Sequence, residues 1–359
     1  MNPRTALPGT AAAAFLACAA LLLLFLSGCG PQSGSTGTAS TLNLFIWEEY
    51  LDPEVKEDFR KETGIRIIES NFGSNEDMLA KLQAGASFDV IVPSDYMVQV
   101  MRRMNLLHPL DHAQIPNSSN LDDWFHRFKY DPKHQHSIPF QWSTTGIAYN
   151  KKQVSPAPDS WAYLFDPVKA APFKGRISLL NDPREVIGAA LLHLGHPLNS
   201  TDPAHLARAE ALLRAQKPFI AKYDSESFED SLAAAETVIA HGWSGEIAVA
   251  QTENPDIAFV LPKEGAIVFV DNLAIPASAK NKDAAHRFIN YLLRPEVAAK
   301  IANYTLYGSA NKAALPLIDE EVKNGPGFLH PDNVPLHEIE DLGEATALYD
   351  QLWTRLKAD

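Results

Sequence analysis

Cysteine is almost missing from this chain: Cys18 and Cys29 are the only two among 359 residues, and both fall in a leading stretch unlike the rest in composition. The body of the chain therefore has no disulfide framework and must be held by hydrophobic cores, which a chain of this length can supply. Positive charge is also scarce. There are 31 Lys and Arg against 44 Asp and Glu, a net charge of −13, which argues against nucleic acid or an anionic membrane face as the main partner and favours capture of cations. Also missing are a G-x-S-x-G elbow, a phosphate-cradling loop, an H-E-x-x-H pair and a dinucleotide fingerprint. We therefore read the chain as a binding protein without cofactor or metal rather than an enzyme. No internal repeat stands out. What is present is ordinary for a soluble globular protein, with 46% apolar and 21% charged residues and a length that suggests two domains.

The leader is a separate material. Arg4 is its one charge before an apolar run from Ala11 to Leu26, too short to span a bilayer comfortably, and reads as a signal peptide over residues 1–28; the alternative is an N-terminal membrane anchor. Leu26, Ser27, Gly28 and Cys29 resemble the lipobox of bacterial lipoproteins, which implies that Cys29 becomes the lipidated first residue. Cleavage there removes Arg4 and takes the net charge from −13 to −14. The Gly-, Ser- and Thr-rich stretch over residues 29–41 then reads as a flexible tether. The expected location is exported, on the periplasmic or cell-surface side, attached to the membrane by lipid.

From Leu42 the pattern alternates between strand and helix periods. Leu42 to Trp47 is strand-like, and Pro53 to Thr63 is an amphipathic helix closed by Gly64. Ile65 to Glu69 is a strand, Ser74 caps a helix reaching about Ala84, and Phe88 to Val92 is a buried strand before Pro93 and Ser94. A second series follows: Gly146 to Asn150 and Arg176 to Leu180 as strands, a helix opened by Asp182 and Pro183, helices around Pro203 to Gln216 and Ser225 to His241, strands at Ile257 to Leu261 and Ala266 to Ile275, and helices at Ala284 to Leu293 and Pro295 to Ala302. Such alternation predicts a mainly parallel sheet flanked by helices. Ligands of these sheets sit at the carboxyl ends of the strands, where the Trp47 to Tyr50 and Ser94 to Tyr96 loops fall.

Several segments together resemble the spermidine/putrescine-binding proteins of bacterial ABC importers: FIWEEY (Phe45 to Tyr50), KETGI (from Lys61), DVIVPS (from Asp89), STTGIAYN (from Ser143), DPREV (from Asp182), PKEG (from Pro262), DNLAIPASAKNK (from Asp271) and YGSANKAA (from Tyr307). The resemblance covers nearly all of the mature chain. It implies the two-lobed type II periplasmic-binding fold, with an N-terminal lobe at 42–143 and 271–314, a C-terminal lobe at 144–270 and 315–359, and a hinge between them. It implies a polyamine as ligand, an ABC permease as partner, and a monomer.

A polyamine carries ammonium groups separated by methylenes, so its site needs carboxylates at intervals with aromatic faces between them. Carried over residue by residue, the resemblance points to Trp47, Glu48, Glu49, Tyr50, Ser94, Tyr96, Asp182, Glu185, Trp243, Glu246, Phe269, Asp271 and Tyr307. Asp271 is expected as the main ammonium partner, Trp47, Trp243 and Phe269 as walls, and Tyr96 and Tyr307 as hydroxyl donors. Plainer readings stand beside these: Asp182 and Glu185 form a capping box with Pro183 at the first helical position, Trp47 and Phe269 suit strand packing, Asp271 suits a turn, and Glu48, Glu49 and Glu246 suit a solvated surface. Tyr96 and Asp182 follow the spermidine-type pattern, Glu246 and Phe269 the putrescine-type one, and the glutamine of spermidine binders aligns with Ile339 or Glu340. His126, His134 and His136 suggest a metal less than a solvated polar loop. The alternatives in function are a same-fold receptor for another cationic or small solute, or a glycosidase built on paired carboxylates.

Overall fold

A computed structural model of the protein describes residues 41–329 and 334–358. The signal peptide, Cys29 and all of the expected tether except Thr41 lie outside them. Eleven strands occur among the described residues: β1 Thr41–Ile46, β2 Arg66–Asn71, β3 Val90–Ile91, β4 Ser137–Asn150, β5 Ile177–Leu179, β6 Ile220–Tyr223, β7 Ile239–Trp243, β8 Ile257–Val260, β9 Ala266–Ala274, β10 Gly308–Ser309 and β11 Leu336–Glu338.

Pairing joins them in the order β2-β1-β3-β9-β4-β7-β5-β6, with β8 and β10 also on β4 and β11 on β9. The outer wings are parallel: β1 with β2 and β3, and β5 with β6 and β7. The centre is antiparallel, where β4 pairs with β9 over most of their lengths. Each wing has its own hydrophobic core. Phe45, Phe59, Met78 and Phe288 are in the first, Trp161, Phe165, Phe228 and Tyr349 in the second. β4 and β9 pass from one to the other, since Ile138 and Trp142 belong to the first core and Ile147 and Tyr149 to the second, while Val270 and Ile267 divide likewise. All fourteen residues of β4 are buried, so neither face of the strand is left to solvent.

Local chemistry accounts for the expected helices. Asp52 Oδ1 accepts from the Glu54 N–H at 2.7 Å, Pro53 takes the first helical position, and Gly64 ends the helix in the left-handed region at φ 73°. Val55 and Phe59, four apart, turn into the first core, each contributing about 1.5–3 kcal/mol by burial. Ser74 accepts from Asp77 at the start of Asn75–Gln83, and Asp182 accepts from Arg184 and Glu185 at the start of Pro183–His193.

Three expectations are corrected. The helix assigned to Ser225–His241 covers only Phe228–Ala233, and Ile239–Trp243 is strand β7. Thr41, assigned to the tether, is the first residue of β1. The polar stretch carrying His134 is not a solvated loop there: His134 is buried, with its ring 4.8 Å from that of His126 and its pKa lowered to about 4 by desolvation.

Candidate functional site

The carboxyl ends of β1, β3, β5 and β7 deliver Trp47, Ser94, Asp182 and Trp243, and β9 carries Phe269 and Asp271 where it crosses between the cores. At the centre, Asp271 is 3% exposed and bridged to Ser94, in register with the antiparallel pairing of β3 and β9. Ser94 Oγ donates to Asp271 Oδ1 and Tyr50 Oη to Oδ2, both at 2.7 Å. Asn75 clamps Ser94, accepting its N–H and donating to its Oγ, each at 3.0 Å. Gln141 of β4 donates to the Tyr50 carbonyl at 3.3 Å. Burial pushes the Asp271 carboxyl up to about 6 despite these two hydroxyl donors.

Glu185 forms a second acidic centre. Its Oε1 accepts from Trp243 Nε1 at 3.2 Å and from Thr145 Oγ1 at 3.1 Å, while Oε2, equally buried, has no hydrogen-bond partner among the described residues. Desolvation first, and the neighbouring Asp182 charge second, push Glu185 up to about 8. Asp182 is raised too by burial, against the helix N–H groups it caps. The capping reading and the site reading are thus met by one side chain.

Rings run between the two centres. Tyr50 meets Tyr307 edge-on at 5.1 Å between centroids, Tyr307 faces Phe269 at 6.5 Å, and Phe269 faces Trp243 at 6.4 Å. Tyr307 Oη donates to Glu246 Oε1 at 2.9 Å, a bond between a residue of the first core and a helix of the second wing. That helix, Ser244–Glu253, is seated on β4 by the Ser143–Ser244 hydroxyl pair at 2.7 Å and by the Gly245 N–H on Ser143 Oγ at 3.2 Å. Glu246 is raised by desolvation and by the charges of Glu49 and Asp230, and Glu229 rises to about 7 through desolvation and Glu246.

Tyr96 packs against both cores and donates its hydroxyl to Glu76 at 3.0 Å. Its ring lies 5.9 Å from the guanidinium carbon of Arg184, and desolvation first, with the charge of Asp182 second, raises Glu76.

Of the residues singled out from sequence, Tyr50, Ser94, Tyr96, Asp182, Glu185, Trp243, Glu246, Phe269, Asp271 and Tyr307 come together in one continuous group, with Glu49 near enough for its charge to act on Glu246. Trp47 is half-buried, with Nε1 donating to the Val92 carbonyl at 3.0 Å and its ring 4.5 Å from Phe72. Glu48 is exposed. The structure adds Asn75, Glu76, Thr145, Arg184 and Glu229, which sequence reasoning missed. Each is an ordinary helix or strand residue without a motif of its own, and of them Thr145 and Arg184 stood inside the segments STTGIAYN and DPREV. Ile339 is buried in the second core, and Glu340 reaches the group through its backbone carbonyl, which accepts from Arg184. No group of His, Cys, Asp and Glu placed to hold a metal occurs among the described residues.

Two α/β wings with separate cores, joined by paired crossover strands and carrying their polar groups where the wings meet, define a type II periplasmic substrate-binding protein. The chain belongs to the family of bacterial extracellular solute-binding proteins, whose model matches residues 54–330. It is 37% identical over 335 residues to the spermidine/putrescine-binding periplasmic protein of Escherichia coli (92% of this chain, 95% of the relative), and 37% identical over 339 residues to the putrescine-binding periplasmic protein of the same organism (89% and 91%). A solved lipoprotein of Treponema pallidum superposes with a TM-score of 0.80 at 30% identity, covering 88% of this chain and 99% of that one. The resemblance read from the sequence segments is borne out by these relatives.

Proposed function

We propose that this protein is a lipid-anchored receptor that binds a polyamine, spermidine or putrescine, in a cleft between two lobes and presents it to an ABC permease. The observation that carries this is the alternation of acid and ring: Asp271, then Tyr50, Tyr307 and Phe269, then Trp243 with Glu185 and Asp182, with Glu246 on the side. The uncommitted Glu185 Oε2 is the acceptor such a site must keep for an incoming donor. An ammonium there would replace its lost hydration with carboxylate oxygens, and the flat rings would cover the methylenes.

The relatives named for spermidine and putrescine support the amine class. The lipobox-like Leu26 to Cys29 and the likeness to a lipoprotein support the anchor. In this reading the lobes are 42–143 with 271–314 and 144–270 with 315–359. The lobes close on the amine because its contacts come from both sides, and a ligand shifts such a balance only by its extra contacts in the closed form. The protein acts by binding, without catalysis, as a monomer. Calorimetric titration with putrescine, cadaverine, spermidine and spermine tests this. Saturable binding of at least one amine at a stoichiometry of one is expected, and no binding by any of them sinks the proposal.

A further inference from the structure

A permanent cation is built into a seam otherwise rich in carboxylates. Arg184 is 7% exposed and is the second residue of the helix Pro183–His193, two positions after its cap Asp182. Its Nη2 donates to Asn199 Oδ1 and to the Glu340 carbonyl, both at 3.0 Å, and its Nε has no hydrogen-bond partner among the described residues. The guanidinium carbon lies 5.1 Å from the Tyr349 ring centre and 5.9 Å from that of Tyr96. Asn199 is itself fixed, donating to the Glu338 carbonyl at 2.8 Å and accepting the Glu340 N–H at 3.0 Å.

The choice of partners is informative. Glu76, Asp182 and Glu185 all lie within reach of the Arg184 charge, which favours their ionised forms. Yet its Nη2 hydrogen bonds go to a neutral amide and a backbone carbonyl. A bidentate ion pair would cancel one carboxylate locally. Neutral anchors and two ring faces instead hold the charge at a distance, as a standing field across the Tyr96 end of the seam.

We infer that Arg184 is a specificity-determining residue whose fixed guanidinium opposes ammonium groups brought to the Tyr96 end, and so limits how many positive charges the bound amine carries there. The inference rests on the polyamine reading given above. A brace between the helix and the C-terminal segment is the competing role, and it would affect every amine alike.

The test is titration of the wild type, Arg184→Gln and Arg184→Lys with putrescine, spermidine and spermine at fixed salt. Removing the charge in Arg184→Gln is expected to improve the affinity for spermine relative to putrescine by about tenfold or more, the scale of one unit charge acting across several ångströms of partly buried protein. Arg184→Lys keeps the charge and should stay near the wild-type ratio. A common factor for all three amines in Arg184→Gln, or equal shifts in both variants, overturns the inference. Should Arg184→Gln fail to fold, Asn199→Asp places a carboxylate against the guanidinium without removing it. The spermine-to-putrescine ratio should then move the same way, and an unmoved ratio overturns the inference equally. Wild-type protein that binds none of the amines refutes the polyamine reading itself, a result distinct from an unchanged ratio.

Discussion

Tyr50 and Asp271, 221 positions apart in sequence, share a 2.7 Å hydrogen bond in which the phenol donates to Oδ2. With Ser94 on the other oxygen, the carboxylate is oriented on both sides by neutral hydroxyls and keeps its charge for a third party. Burial works against that charge, raising Asp271 to about 6, and an adjacent ammonium would bring it back down.

Asp271→Asn keeps the shape and removes the charge. Amine binding should weaken by about 2–5 kcal/mol, the range for truncating one partner of a desolvated charge pair, with the melting temperature little changed. Calorimetric titration checks this, and an affinity within a factor of about two of the wild type would place the ammonium elsewhere.

The raised acids make a pH prediction with a definite sign. Glu185 titrates near 8 in the folded state against an ordinary 4.5, and desolvation is the first cause. Between those values the folded protein holds a proton that the unfolded chain has released, so stability falls as pH rises through this window. Asp271 adds to the fall between its ordinary 3.8 and about 6. Carboxylates held near 2 by basic or hydrogen-bonding neighbours, Glu210, Asp224 and Glu264, are ionised throughout and add no slope there. Buried His134 and His241, lowered by desolvation to about 4 and about 3, add the opposite slope below their ordinary 6.5. Melting curves of the amine-free protein from pH 6.5 to 8 should therefore show the decline, and Glu185→Gln should flatten it. Identical slopes in both proteins would remove Glu185 as its source.

Amine binding should for the same reason expel protons. An ammonium bound near Glu185 and Asp271 favours their ionised forms, so at pH 6 to 7 the measured heat should vary with the ionisation enthalpy of the buffer, and affinity should rise with pH towards 8. Heats independent of buffer would mean the acids are already ionised before the amine arrives.

Gly245 is required by the Tyr307 ring. A Cβ at position 245 would lie 2.2 Å from Tyr307 Cε2 and 2.5 Å from Cζ, so Gly245→Ala must displace the ring that meets Tyr50 and Phe269 and bonds Glu246. Overpacking of this kind costs about 1–3 kcal/mol, and amine affinity should fall along with stability. Wild-type values for both in thermal melts and titration would show that the ring is free to move.

Asn75→Ala removes the clamp on Ser94 and leaves its buried N–H unpaired, at a cost of about 1–3 kcal/mol in stability. Because Ser94 and Tyr50 still reach Asp271, amine affinity should drop less than in Asp271→Asn. A larger affinity loss than that variant shows would make Asn75 itself a ligand contact.

Much of the fold was legible along the chain because its signals are local. Asp52, Pro53 and Gly64 bound one helix, Ser74 and Asp77 open another, and Asp182 with Pro183 opens a third, each through side-chain and backbone chemistry within three or four residues. The first nine residues of β4 and the whole of β7 were not legible. β4 is buried on both faces, and its Ser143, Thr144 and Thr145 look like loop residues until their hydroxyls find Ser244 and Glu185. β7 contains His241 and Gly242, poor strand signals, and its place is set by pairing with β4 and β5.

The candidate site divides in the same way. Its residue types, alternating acids and aromatic rings in segments that resemble one family, were present in the sequence by itself, as were the leader, the shortage of cysteine and the acidic balance. Which carboxylates are desolvated, which keep a free oxygen, and that Glu76, Glu229 and Arg184 join them was decided only when β4 and β9 brought two distant wings together. Desolvation and charge coupling depend on distance through space, and positions such as 50 and 271 become neighbours only in the folded molecule.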